Sequence, residues 1–197
     1  MPKLVEHSQK RQEIIEATWR LIANRGFEAA TMREIAAEAG HANGALTHYF
    51  RNKADLLEAA FLYVWQSTNK RIDERLGGRT GLTAIRVYCE EITPSTEITR
   101  LEAKIVLPFF PLAVNNPRLA DITATTLAHW RSKLHQHLEE ARADGTLAVD
   151  TSNEIVVEQL LSMLMGLQIL AVLTPQVNTD TSQLAQIDTY LCTLRNH

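Results

Sequence analysis

Apolar residues recur every three or four positions almost from end to end of this chain, and no segment alternates apolar and polar residues as a half-buried strand would. The pattern predicts an all-α protein. Ser8 can cap a first helix that carries Ile14, Ile15, Thr18, Leu21 and Ile22 on one face and ends at Gly26. Thr31-Met-Arg-Glu34 has the form of a capping box. It opens a short helix with Ile35, Ala36 and Ala39, which Gly40 ends. A third short helix is expected from Ala42 to Phe50. Asn52-Lys-Ala-Asp55 then caps a long helix bearing Leu57, Phe61, Val64, Thr68 and Ile72.

The pattern continues beyond the break at Gly77-Gly78. Leu82, Ile85, Tyr88, Cys89 and Ile92 mark a helix that stops at Pro94, and Thr96 restarts one through Leu101 and Ile105. Pro108 and Pro111 are expected to kink or end it, because proline lacks the amide that the helix ladder needs. Pro117 precedes a helix with Leu119, Ile122, Leu127, Trp130, Leu134, Leu138 and Ala141, closed by Gly145. Thr151-Ser-Asn-Glu154 reads as another capping box, and Asp180 as the cap of a last helix with Leu184, Ile187, Leu191 and Leu194. Three small helices are thus followed by six larger ones, which suggests domains at 1–53 and 54–197.

The helix after Thr151 is apolar on nearly every face from Ile155 to Leu173, so every face must be covered. Glu158, Gln159 and Gln168 interrupt it, whereas a membrane span needs about 20 consecutive apolar residues. No membrane is expected. The domain core covers one side, and a second copy of the chain, meeting the last two helices, covers another. A homodimer follows.

Composition adds little until it is divided along the chain. The 197 residues are 45% hydrophobic and carry a net charge of −3. Residues 1–53 hold eight basic and six acidic side chains (+2), leaving twelve against seventeen (−5) for the rest. The positive end is where phosphate would dock. No apolar run follows the N-terminus, so no secretory signal is expected, and Cys89 and Cys192 read as reduced core thiols of a cytoplasmic protein.

Two short helices meeting at a glycine turn over residues 31–50 fit the helix-turn-helix pattern. Ile35 and Ala36 would face Leu46 and Phe50, leaving Asn43, Ala45, Thr47 and His48 pointing elsewhere. Such a helix can enter the major groove of a double-stranded DNA operator. The spacing Thr31-x-x-x-Ile35-Ala36-x-x-Ala39-Gly40, then Gly44-x-Leu46-x-x-Tyr49-Phe50-x-x-Lys53-x-x-Leu56-Leu57, resembles the TetR family of bacterial transcriptional regulators over residues 8–60. The stretch from Leu101 to Gly145 resembles its choline-responsive BetI subgroup.

The resemblance implies roles at matching positions. Thr31 would cap its helix and touch a phosphate, and Arg33 would reach a base edge or a phosphate. Asn43, Gly44, Ala45 and Thr47 would face bases; His48, Tyr49 and Lys53 would hold the backbone. Physical chemistry agrees for two of them: Lys53 opens a helix, where charge and free amides favour phosphate, and Arg33 can bind guanine in bidentate fashion. There are departures. His41 and Ala42 replace the family's apolar residue and capping Ser or Thr, so Asn43 would have to cap helix three, and Thr47 stands where tyrosine is frequent.

For a small-molecule effector, the candidate lining is Trp65, Tyr88, Phe109, Phe110, Trp130, Met163 and Met165, with Glu102, His129 and Gln168 as polar anchors. An aromatic cage of this kind could hold a quaternary ammonium. Any one of them is more often plain core. His129, His135 and His137 do not share a helix face, so no metal site is expected, and no cofactor is implied. No nucleophile–base grouping, phosphate loop or HExxH spacing is present, which argues against an enzyme. The expectation is a ligand-responsive regulator, a repressor released by an inducer. The alternative is a helical ligand-binding or scaffold protein with a degenerate DNA head.

Overall fold

The computed structural model describes residues 2–148 and 150–195; the side chains of residues 2–6 and of Asn43 lie outside the description. Among the described residues the chain forms eight α-helices and one short 3-10 helix, the all-α architecture that the periodicity predicts. In chain order these are α1 (Pro2–Arg25), α2 (Met32–Glu38), the 3-10 helix (Asn43–His48), α3 (Lys53–Leu76), α4 (Gly81–Ile92), α5 (Glu97–Val114), α6 (Pro117–Ala143), α7 (Asn153–Leu173) and α8 (Asp180–Thr193).

Several helix ends differ from the sequence expectation. Ser8 lies inside α1, which begins at Pro2. Proline costs nothing at a first helical position, and no breaker separates it from Ser8. α5 runs through Pro108 and Pro111 to Val114. Each proline forfeits one ladder bond, and burial of Ile105, Phe109 and Ala113 holds the helix together. The N-cap position of α7 falls at Ser152 rather than Thr151, with no side-chain cap bond, and the Thr151 carbonyl accepts from Arg142 at 2.5 Å. α8 is capped by Thr179, whose hydroxyl accepts from the Ser182 amide at 3.3 Å. Asp180 moves one position in, where a carboxylate favours the helix N-terminus, and pairs with Arg100. Cys89 is fully buried, and burial pushes its thiol up to about 12, but Cys192 is exposed and is not a core thiol.

By packing, the chain divides into two compact units, residues 1–66 with 104–119 and residues 67–103 with 120–197. Ile14, Leu21, Ile22, Ile35, Ala36, Leu46, Phe50, Leu56 and Ala60 form the core of the first. Ile105 from the middle of α5 joins that core, and the Lys104 ammonium donates to the Ala23 carbonyl at 3.0 Å. Phe109 stacks on Phe61 with ring centroids 4.1 Å apart. The first unit is therefore completed by residues far downstream in sequence.

In the second unit, α7 is by length and composition long and apolar enough to cross a membrane. Its buried residues nevertheless fall at Val156, Val157, Leu160, Leu161, Leu164, Leu167 and Ala171, the periodicity of a helix with one face in a protein core. They pack with Ile72, Leu82, Ile85, Tyr88, Leu134, Leu138, Ile187 and Leu191.

A polar cluster is set into the same unit. Arg71 Nη1 and Nη2 each donate to a Glu102 oxygen at 2.8 Å, and Nε donates to Glu91 at 2.7 Å. Arg75 reaches the other Glu91 oxygen at 2.7 Å. Both carboxylates are buried. Burial pushes the Glu102 carboxyl above its usual 4.5, against the pull of Arg71.

Replacing Arg71 by Met should leave two buried carboxylates short of their main partner and cost about 3–5 kcal/mol in urea unfolding. A raised pKa means that the folded state holds the Glu102 proton more tightly than the unfolded state, so stability falls as pH rises through that pKa. The Arg71→Met variant should accordingly regain stability on acidification from about pH 7 towards 5, a window above the ordinary carboxyl range of about 4.3 and reached by a carboxyl that burial raises and Arg71 no longer lowers. Equal destabilisation at both pH values would show that the carboxylates are not the cause.

Candidate nucleic-acid interface

The candidate interface is built on two segments too short to be stable alone. α2 has seven residues and the 3-10 helix six, so tertiary packing must hold them. Thr31 supplies the cap of α2, its hydroxyl accepting from the Glu34 amide at 3.2 Å. The carboxylate half of the expected box is used differently, since Glu34 lies 3.5 Å from Arg33 and 3.7 Å from Arg25. Gly40 takes the turn with φ +70°, a conformation that a side chain disfavours, and the His41 amide closes it on the Ala36 carbonyl at 2.8 Å. Ile35, Ala36, Leu46 and Phe50 are all buried, so the inner faces meet as the sequence suggests.

Helix three departs from the expectation. It is a 3-10 helix and ends at His48. Its N-cap is Ala42, which makes no side-chain cap bond. Asn43 is the first helical residue rather than the cap, and its side chain lies outside the described residues. His41 Nε2 is buried without a hydrogen-bond partner.

The outward surface contains most of the sequence candidates. Thr31, Arg33, Gly44, Thr47 and His48 are exposed and Ala45 is half-buried, all within the first unit. The Arg33 side chain is 78% exposed, which leaves its guanidinium accessible beside Glu34. Thr47 Oγ1 donates to the Gly44 carbonyl at 2.7 Å. Tyr49 is half-buried with its ring 4.6 Å from that of His7, and Arg11 lies 4.8 Å over the Phe50 ring. Neither contact has a sequence signature.

Lys53 begins α3 as expected. Its ammonium donates to the Phe27 carbonyl at 3.1 Å and lies 4.3 Å over the Phe27 ring. Asp55 receives the Asn52 cap, its amide donating to Asn52 Oδ1 at 2.9 Å. Its carboxylate takes Arg51 at 3.0 Å and Arg118 at 3.1 Å, and Arg118 also reaches Glu58 at 2.8 Å. Arg118 was not visible as a partner of this helix start because more than sixty residues separate them.

The effector candidates fall into both units. Trp65, Phe109 and Phe110 belong to the first, where Phe109 is core. Tyr88, Glu102, His129, Trp130, Met163, Met165 and Gln168 belong to the second. Tyr88 is core, Glu102 is taken up by Arg71, and His129 is exposed. Trp130 donates its indole N–H to Asn69 at 3.0 Å, and Gln168 donates to the Ile92 carbonyl at 3.1 Å. Trp130, Met163, Met165 and Gln168 are half-buried.

Comparison with known proteins gives consistent matches. Residues 14–60 match the family described as bacterial regulatory proteins, tetR family, and residues 82–196 match the BetI-type transcriptional repressor C-terminal family. The HTH-type transcriptional regulator PksA of Bacillus subtilis is 33% identical over 183 residues, 91% of this chain and 87% of that protein. The regulator BetI of Pectobacterium atrosepticum is 31% identical over 159 residues, 77% of this chain and 73% of that protein. A Saccharomonospora viridis transcriptional regulator solved in complex with choline superposes with a TM-score of 0.87 at 20% identity, covering 96% of this chain and 100% of that one.

Gly44 separates fold from interface. Its φ is not left-handed, and an added Cβ would meet nothing within 4 Å. Gly44→Ala should therefore leave thermal stability unchanged or raise it by about 0.4–1 kcal/mol. If the backbone approaches DNA here, the same change should weaken operator binding in a mobility-shift titration. Undiminished affinity would remove Gly44 from the interface.

Proposed function

The chain belongs to the TetR family and is a DNA-binding transcriptional regulator, and on that premise we propose that it is a cytoplasmic repressor released from a palindromic operator by a small-molecule inducer. The observation that carries the reading is the exposed row of Thr31, Arg33, Gly44, Thr47 and His48, raised on a buried core of Ile35, Ala36, Leu46 and Phe50. Residues 1–53 act as the reading head in this account and residues 54–197 as the sensing and dimerising part. Arg33 reads a base edge or phosphate; Asn43, Gly44, Ala45 and Thr47 face bases; His48, Tyr49 and Lys53 hold the backbone.

The dimer uses α7 and α8. α7 buries one face, yet leaves Ile155 53% and Leu173 71% exposed, with Ile169, Leu170 and Val172 also accessible. An apolar surface of this kind beside a two-fold DNA reader fits an isologous interface. Two heads so related read half-sites about 34 Å apart. The effector is a small molecule bound through residues of the sensor such as Trp130, Met163, Met165 and Gln168. A quaternary ammonium is the first class to assay, since the S. viridis relative holds choline and BetI relatives are similar in sequence. α3 contains both Lys53 and Arg71, so a shift of this helix on effector binding would be felt at the operator.

The deciding experiment is a mobility shift with the region upstream of the chain's own gene. A protein neutralising six or more phosphates should lose about 10^3-fold or more in affinity between 50 and 200 mM salt. Arg33→Ala should cost about 1–3 kcal/mol if the guanidinium reads guanine. A stable monomer that ignores its promoter at low salt would favour a helical scaffold instead.

A further inference from the structure

We propose that Thr47 selects thymine at one operator position through its γ-methyl group and not through its hydroxyl. The inference rests on the reading that the 3-10 helix faces the major groove, and it adds the chemistry that one position recognises.

Threonine has a single hydrogen-bond donor, the hydroxyl proton. In Thr47 that proton is engaged, because Oγ1 donates to the Gly44 carbonyl at 2.7 Å. The bond turns Oγ1 back over the preceding turn and fixes the side chain. Every acceptor in the major groove (guanine N7 and O6, adenine N7, thymine O4) requires a donor that Thr47 has already committed, so the hydroxyl retains only lone pairs, which suit adenine N6–H or cytosine N4–H and offer nothing to thymine. For thymine, the γ-methyl is the group that this exposed side chain has to offer. The one apolar group that a base presents in this groove is the thymine C5 methyl.

The position of Gly44 supports the same assignment. Side chains at i and i+3 eclipse along a 3-10 helix, so Gly44 and Thr47 share one face. Gly44 has no left-handed φ, and a Cβ there would stand in open space, so neither conformation nor packing within the chain calls for glycine. The missing side chain makes that face bare. A bare face can approach base edges closely enough for a methyl group as short as that of threonine to reach them.

The test uses the full-length protein and the operator recovered by footprinting its own upstream region. Thr47→Val keeps a methyl and removes the hydroxyl; Thr47→Ser keeps the hydroxyl and removes the methyl. Thr47→Val should bind like wild type. Thr47→Ser should bind about fourfold more weakly per half-site, the loss expected for one unburied methyl. Replacing each operator thymine in turn by deoxyuridine, which lacks the C5 methyl, should identify one position per half-site that costs wild type a similar factor. At that position Thr47→Ser should lose nothing further. Weak binding by Thr47→Val with full binding by Thr47→Ser overturns the proposal, as does a deoxyuridine series with no effect. Failure of the wild-type protein to bind its upstream region at low salt would instead overturn the DNA reading on which the proposal rests.

Discussion

The protein depends on one packing constraint: two helical segments of seven and six residues must be held by side chains they share with longer helices. Neither segment has the length to persist in water. Ile35 and Ala36 from one, with Leu46 at the heart of the other and Phe50 just beyond it, are removed from solvent among Ile14, Leu21, Ile22, Leu56 and Ala60. Every exposed position of the interface is defined by the burial of its neighbours. The placement of the surface is therefore a property of the core beneath it, and that core includes Ile105 from a helix much later in the chain.

Local chemistry made part of this legible from sequence. The Thr31 cap, the Gly40 turn, the Asn52 cap and the 3–4 spacing of apolar residues all act within a few residues, and each is present in the structure. The helix-turn-helix could be found because its defining contacts span fewer than twenty residues. Errors arose where a signal was permissive. Ser8 can cap a helix but need not, and with Pro2 tolerated at the first position the helix simply starts earlier. Pro108 and Pro111 weaken α5 without ending it, because burial of the surrounding apolar residues compensates.

What could not be read was pairing at a distance. Arg71 with Glu91 and Glu102, Arg118 with Asp55 and Glu58, and Lys104 with the Ala23 carbonyl join residues that no periodicity connects. These pairs also show why Glu102, attractive as a polar anchor in the sequence, is already committed: its two oxygens are both held by one guanidinium. Charged residues in an apolar pattern reveal that a partner is needed, but the sequence does not say which one.

The arrangement at Lys53 has a consequence for the entropy cost of docking. Lysine stems ordinarily sample many rotamers, and ordering one costs about 1.5–2 kcal/mol. Here the ammonium is already tethered between the Phe27 carbonyl and the Phe27 ring. That freedom was surrendered when the unit folded, so in the role proposed for Lys53 a phosphate would meet a stationary charge at a helix start in place of a wandering one.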